Sequence, residues 1–227
     1  MSVKNTELSI RYAKCKSLRL TVDINGRFIL YCPKGYPKKL AYEFYEKHRD
    51  SLLARQNARA DELMERLFEK QDGNYTLPYF GKRYPLIFSD VKALRFDGEC
   101  FTFPLNRSLD VCRDTYNEFL RKATKAYVGP LVAEIADRHG FSYGKITVKA
   151  IHSRYGSCSV KKNLNFTLAL AACSPEFINM VVCHELAHTV HLNHSAEFHA
   201  LLDRICPNNR SLSAEKQNSY ILRALFI

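Results

Sequence analysis

A chain of 227 residues, 46% apolar and 25% charged, can bury a core as one large domain or two small ones, which excludes a disordered or fibrous protein. The net charge of +11 suits an acidic partner, but a basic soluble protein without one has the same balance. There is no repeat or low-complexity tract, and the most apolar run, "NLNFTLALAACSPEFINMVV", is broken by Pro175 and Glu176, so no membrane partner is expected.

The opening "MSVKNTELSIRYAKCK" lacks an apolar stretch of signal-peptide length, so a cytoplasmic location is expected. None of the eight cysteines forms a C-x-x-C pair. Reduced thiols, mostly small core residues, are therefore expected rather than a disulfide framework. "SLRLTVDINGRFILYC" alternates apolar residues up to Asn25-Gly26 and resumes after it, the pattern of a hairpin with a tight turn. Residues 38–70 keep a helical stripe at Leu40, Phe44, His48 and Leu52, long enough for two helices meeting near Gln56–Arg59. "RYPLIF" reads as a strand, and "RFDGECFTF" as a second hairpin around Asp97-Gly98. Residues 1–105 thus read as a hairpin-rich mixed α/β region.

Residues 106–227 read as a second domain, with the two free to pack as one unit. A helix runs from about Asp110 to His139 and stops at Gly140, with Pro130 able to kink or divide it. "KITVKAI" and "NLNFTLAL" read as strands. Ser174, Pro175 and Glu176 are a natural N-cap, first residue and first-turn acid. That helix is expected to run from Pro175 to about Leu192, with Met180, Val181 and Val182 anchoring it. The fold class is α+β.

Four of the chain's eight histidines fall between His184 and His194. On a helix, His184 and His188 lie one turn apart on one face, so both imidazoles reach one ion. Glu185 stands about 100° round the helix, beside the ion without binding it. This is the H-E-x-x-H arrangement of zinc hydrolases, in which the glutamate is the general base. His191 shares the face of a continuous helix but stands roughly 10 Å along the axis from His184. His194 is the better third ligand, because it follows His188 at the spacing of the third histidine in metzincins. Reaching the ion from there requires the helix to end and the chain to turn back, which Asn193 permits through a left-handed conformation. Metzincins have glycine where this chain has His191. His191 and His199 are expected to support the ligands, pack or face solvent. Three neutral imidazoles leave Zn2+ an open position, and its water falls toward a pKa of roughly 7. Glu185 takes that water's proton and delivers it to a leaving amine.

"SRYGSCSVKKNLNFTLAL" together with "VVCHELAHTVHLNHSAEF" resembles the YgjP-like metallopeptidase family, with its R-W-G-S-C-S element, strand, and H-E-L-x-H…N-H-S helix. The resemblance covers about Lys145 to His199. It implies a zincin-like catalytic core similar to the SprT-like and WLM groups, some of which act on proteins attached to DNA. It also implies zinc at His184, His188 and His194, with Glu185 catalytic. Two departures stand out: Tyr155 replaces the tryptophan of R-W-G-S-C-S, and His199 replaces the aromatic that follows N-H-S-x-x-F. Gly156 suggests a bulge or a close backbone approach. Arg154 and Tyr155 are candidates for substrate binding or for steadying an oxyanion, and equally for shaping the turn under the helix. Cys158 is not needed as a ligand.

The reading is a zinc-dependent metallopeptidase acting on a peptide or protein. Two alternatives stay open: a basic nucleic-acid-associated protein with a structural or inactive zinc site, and a zinc hydrolase of a non-peptide amide. Nucleic acid is a candidate partner through segments 1–40 and 138–175. The first carries nine Lys/Arg against Glu7 and Asp23, and the second carries six Lys/Arg and no acid.

Overall fold

The computed structural model describes residues 8–22, 27–213, 222, 224 and 225. The chain divides into two compact units, 1–61 and 62–227. In the first, β1 (Leu8–Ala13), β2 (Arg19–Val22) and β3 (Phe28–Pro33) form a sheet in the order β1-β3-β2. β2 pairs antiparallel with β3, as a hairpin requires, while β1 pairs parallel with β3 on its other side. The Asn25-Gly26 turn lies outside the described residues. Leu30, Cys32 and Ala41 form a small core, against which Ile10, Leu20 and Phe44 pack.

Helix α1 (Lys38–Leu67) begins in the first unit and ends in the second. It is one unbroken helix where two were expected. No Gly or Pro lies between Lys38 and Leu67, and Ala, Leu, Arg and Glu dominate, so nothing local breaks the backbone hydrogen bonding at 56–59.

The second unit continues with β4 (Lys70–Gln71), β5 (Asn74–Tyr79), β6 (Lys82–Ser89), β7 (Arg95–Phe96) and β8 (Phe101–Pro104), in the order β4-β5-β6-β8-β7. The Asp97 hairpin is present: β7 and β8 pair antiparallel. Asp97 Oδ1 accepts the Glu99 and Cys100 N–H groups, holding its carboxyl below the usual range. The compact units meet at 61/62, whereas the pattern of expected strands and helices suggested 105/106. The reason is burial: Leu77, Leu86, Phe101 and Phe103 share one core with Tyr116, Leu120 and the strands and helices beyond.

Helix α2 (Leu109–His139) runs from an N-cap at Ser108, whose Oγ accepts Val111 N–H, to Gly140 in the left-handed conformation (φ 72°). Pro130 does not divide it. Tyr116, Leu120, Thr124, Val128 and Val132 recur every fourth residue and are buried. Thr124 Oγ1 donates to Leu168 O (2.8 Å) and accepts Ala171 N–H (3.1 Å), tying α2 to a tight helical turn at Leu168–Ala172. Before that turn come β9 (Ile146–Lys149), β10 (Gly156–Cys158) and β11 (Leu164–Thr167), ordered β10-β11-β9. β10 is an edge strand, antiparallel to β11.

Helix α3 spans Pro175–Ala187, capped by Ser174 Oγ on Phe177 N–H (3.2 Å). It stops short of the expected Leu192. Thr189 N–H and Oγ1 both turn back to the Leu186 carbonyl, closing the helix into a tight turn. Val190 and Leu192, which prolonged the apolar pattern, are 55% and 61% exposed. Helices α4 (Ala196–Ile205) and α5 (Asn209–Ser213) follow. The fold is α+β, as expected. All eight cysteines are free thiols, and Cys32, Cys112, Cys173, Cys183 and Cys206 are buried. Among the described residues no helix is long and apolar enough to cross a membrane.

Candidate metal centre

His184 lies in the last turn of α3 and His188 caps it. Because the chain turns immediately afterwards, His194 comes back over the helix end. Its Nε2 lies 3.2 Å from His184 Nε2, and His188 Nε2 lies 3.2 Å from the same atom. All three nitrogens fall within 4.8 Å of one another. The turn is made without a left-handed Asn193, which has no positive φ. The chain reverses instead through Val190 and His191 N–H groups, both donated to Ala187 O.

The rings are held from behind. Phe198, fully buried in the first turn of α4, stacks on His188 (4.5 Å, 29°) and meets His184 and His194 edge-on at 5.0 and 4.8 Å. Ser195 Oγ caps α4 on Phe198 N–H, so the N-H-S-x-x-F run presents a candidate ligand, a cap and a ring support in one turn. His188 Nδ1–H donates to His191 O (3.0 Å). That bond fixes the tautomer, leaving the bare Nε2 turned toward its neighbours. His191 therefore contributes its carbonyl. His199 is exposed, with its ring 6.2 Å from that of His194.

Burial, with the neighbouring imidazoles, lowers the His184 pKa to about 4, and burial also lowers that of His188. Both rings are thus poised as neutral donors. Glu185 is only 5% exposed, and burial raises its pKa to about 7 against an opposing effect of Arg154. Its Oε2 is buried without a hydrogen-bond partner among the described residues. The donor set fits a divalent metal. Nitrogens about 2.05 Å from a tetrahedral ion stand roughly 3.3 Å apart, close to the two 3.2 Å spacings from His184 Nε2.

Gly156 of β10 makes room for that carboxylate. A Cβ there would lie 2.6–2.8 Å from Glu185 Oε1, Cγ and Cδ. The suggested close backbone approach is real, and its partner is the glutamate. Arg154 is exposed, while the half-buried Tyr155 ring meets Phe177 of α3 edge-on at 4.8 Å. Cys158 is not part of the metal-binding group. Its thiol is pushed up by burial and by Glu185.

The family model of the YgjP-like metallopeptidase domain matches residues 16–217. The chain belongs to this family. Comparisons with curated proteins and with solved structures give no match. Membership in the YgjP-like family makes the coarse class a metallopeptidase, hence a hydrolase, and implies a divalent metal. The YgjP-like match extends well beyond the Lys145–His199 block and takes in part of the first unit. Two features of the centre escaped the sequence reading, the support by Phe198 and the seat of Glu185 on Gly156. Phe198 was visible only as part of N-H-S-x-x-F, with nothing local to say which way its ring turns.

Proposed function

We propose that this chain is a zinc-dependent peptidase in which His184, His188 and His194 hold the ion and Glu185 moves the proton. The observation that carries this reading is the convergence of three imidazole nitrogens, with a buried, unpartnered carboxylate oxygen on Glu185, the residue that follows His184. A structural site has no need of such a carboxylate and prefers four protein ligands, where this group has three among the described residues.

Zinc bound there supplies a double positive charge and an open position, which acidify water and polarise a carbonyl. Glu185 Oε2 accepts a proton from the attacking water and returns it to the departing amine nitrogen. Gly156 sets the depth at which the carboxyl sits, and Phe198 keeps the three rings converged. The substrate is a peptide in extended conformation. Tyr155 O and Ser159 N bond toward β11 and its turn, so by alternation Gly156 and Cys158 direct N–H and C=O groups to the open edge of β10. A substrate strand added there runs past Glu185. Arg154, exposed and close enough to act on Glu185, is the candidate for steadying the oxyanion. Tyr155 braces the turn against Phe177.

The test is metal analysis with peptide-library digestion. The expected result is about one zinc per chain, with Glu185→Gln keeping the metal and losing roughly 10²–10⁴-fold in cleavage rate. Full cleavage by that variant, or a chain that binds no zinc, ends the proposal.

A further inference from the structure

The first unit holds a surface that the metal centre does not use. Strand register sets Arg11 of β1 and Arg19 of β2 directly opposite Tyr31 of the central β3. Side chains alternate between faces, so the three residues share one face, while Ile10, Leu20 and Leu30 turn to the core on the other. Arg11 and Arg19 are exposed and Tyr31 is half-buried. Ile29, next along that face, is buried, so the row at Tyr31 marks its open part. The Arg19 guanidinium carbon lies 5.8 Å from the Tyr31 ring centroid.

Charge singles out this face. Between Leu8 and Tyr42 the sequence carries eight Lys/Arg against one acid, Asp23. Several arginines elsewhere are paired, Arg49 with Glu46 and Asp50, Arg113 with Asp110 and Asp114, and Arg138 with Glu134. Among the described residues, neither Arg11 nor Arg19 has an acidic partner. Lys14 and Lys16 follow β1 and Lys34 follows β3, which runs parallel to it, so the three lysines gather at one end of the sheet. The other basic segment, 138–175, belongs to the second unit and lacks such a row.

We propose that the outer face of the β1-β3-β2 sheet binds single-stranded nucleic acid, with Tyr31 stacking on a base and Arg11 and Arg19 contacting the flanking phosphates. An aromatic ring set between two cations on a sheet is the combination that takes an unpaired base with its backbone. A duplex hides its base faces and would use the charges alone. The inference is independent of the peptidase reading.

The experiment is fluorescence anisotropy on the full chain across a salt series. The probes are a labelled mixed-sequence strand of about 20 nucleotides, as DNA and as RNA, and the matching duplexes. A strand of either kind should bind more tightly than its duplex. Tyr31→Ala should weaken strand binding about tenfold or more, and Tyr31→Phe should leave it nearly unchanged. Arg11→Ala and Arg19→Ala should each reduce the slope of log K against log salt by about 0.7. Tyr31→Phe and the arginine variants keep the test decisive should Tyr31→Ala not fold. Duplex binding as tight as strand binding, a folded Tyr31→Ala with wild-type affinity, or binding to anionic lipid vesicles in place of oligonucleotides would overturn the proposal.

Discussion

Helices α1 and α3 are both legible in the sequence, yet they play opposite physical parts. In α3, nine of thirteen residues are buried, Glu185 included. In α1, which has thirty residues, the buried hydrophobic residues are Ala41, Tyr45, Leu63 and Leu67. A helix enclosed on most sides cannot rotate or slide without opening cavities, so its terminal histidines and Glu185 are held in one geometry. A helix with mostly wet side chains draws on propensity and tolerates substitution. The proposed chemistry draws on the enclosed helix, because alignment of three rings and a carboxylate needs that rigidity.

The contrast breaks most directly at Phe198. Phe198→Ala should cost about 3–5 kcal/mol in denaturant unfolding, because it empties the space behind all three imidazoles, and should weaken zinc retention against a chelator. If stability and zinc retention both stayed at wild-type level, the ring would not be the support described here.

The buried carboxyl provides the next largest effect. Its folded pKa of about 7 lies above the ordinary 4.5, so the folded metal-free protein binds more protons than the unfolded chain between those values. Its contribution favours folding below pH 4.5 and is lost as pH rises to 7, amounting to at most about 3 kcal/mol. His184, lowered to about 4, works in the opposite direction between its folded value and its ordinary 6.5. Comparison of metal-free wild type with Glu185→Gln isolates the carboxyl. The melting temperature of the variant should gain on that of wild type as pH rises from 4.5 to 7, and a pH-independent difference would refute the account.

Gly156→Ala sharpens the comparison further, since it pushes a methyl into Glu185 without touching a histidine. Zinc content should be unchanged, with cleavage reduced about ten- to a hundredfold, mainly in kcat. Loss of zinc along with activity would mean that the glycine serves the fold. The smallest effect belongs to α1. Leu40, 45% exposed, should change stability by no more than about 0.5 kcal/mol when replaced by alanine. A larger loss in thermal unfolding would show that α1 is more enclosed than its exposure indicates.

What the sequence determined by itself is local. The four-residue spacing of His184 and His188, the Ser174-Pro175 start of α3, the Gly140 stop of α2 and the pairing of β2 with β3 each depend on interactions between residues close in the chain, so residue type and spacing suffice. Tertiary structure decided the rest. The continuity of α1 and the early end of α3 depended on what surrounds them. The parallel β1–β3 pairing and the joining of β4–β8 to the second unit depended on which apolar faces found each other. His194 reaches His184 only because α3 stops early and α4 packs Phe198 beneath the rings, and Glu185 meets Gly156 across 29 residues of chain. Such meetings are settled by the packing of whole elements, whose energy no short stretch of residues contains.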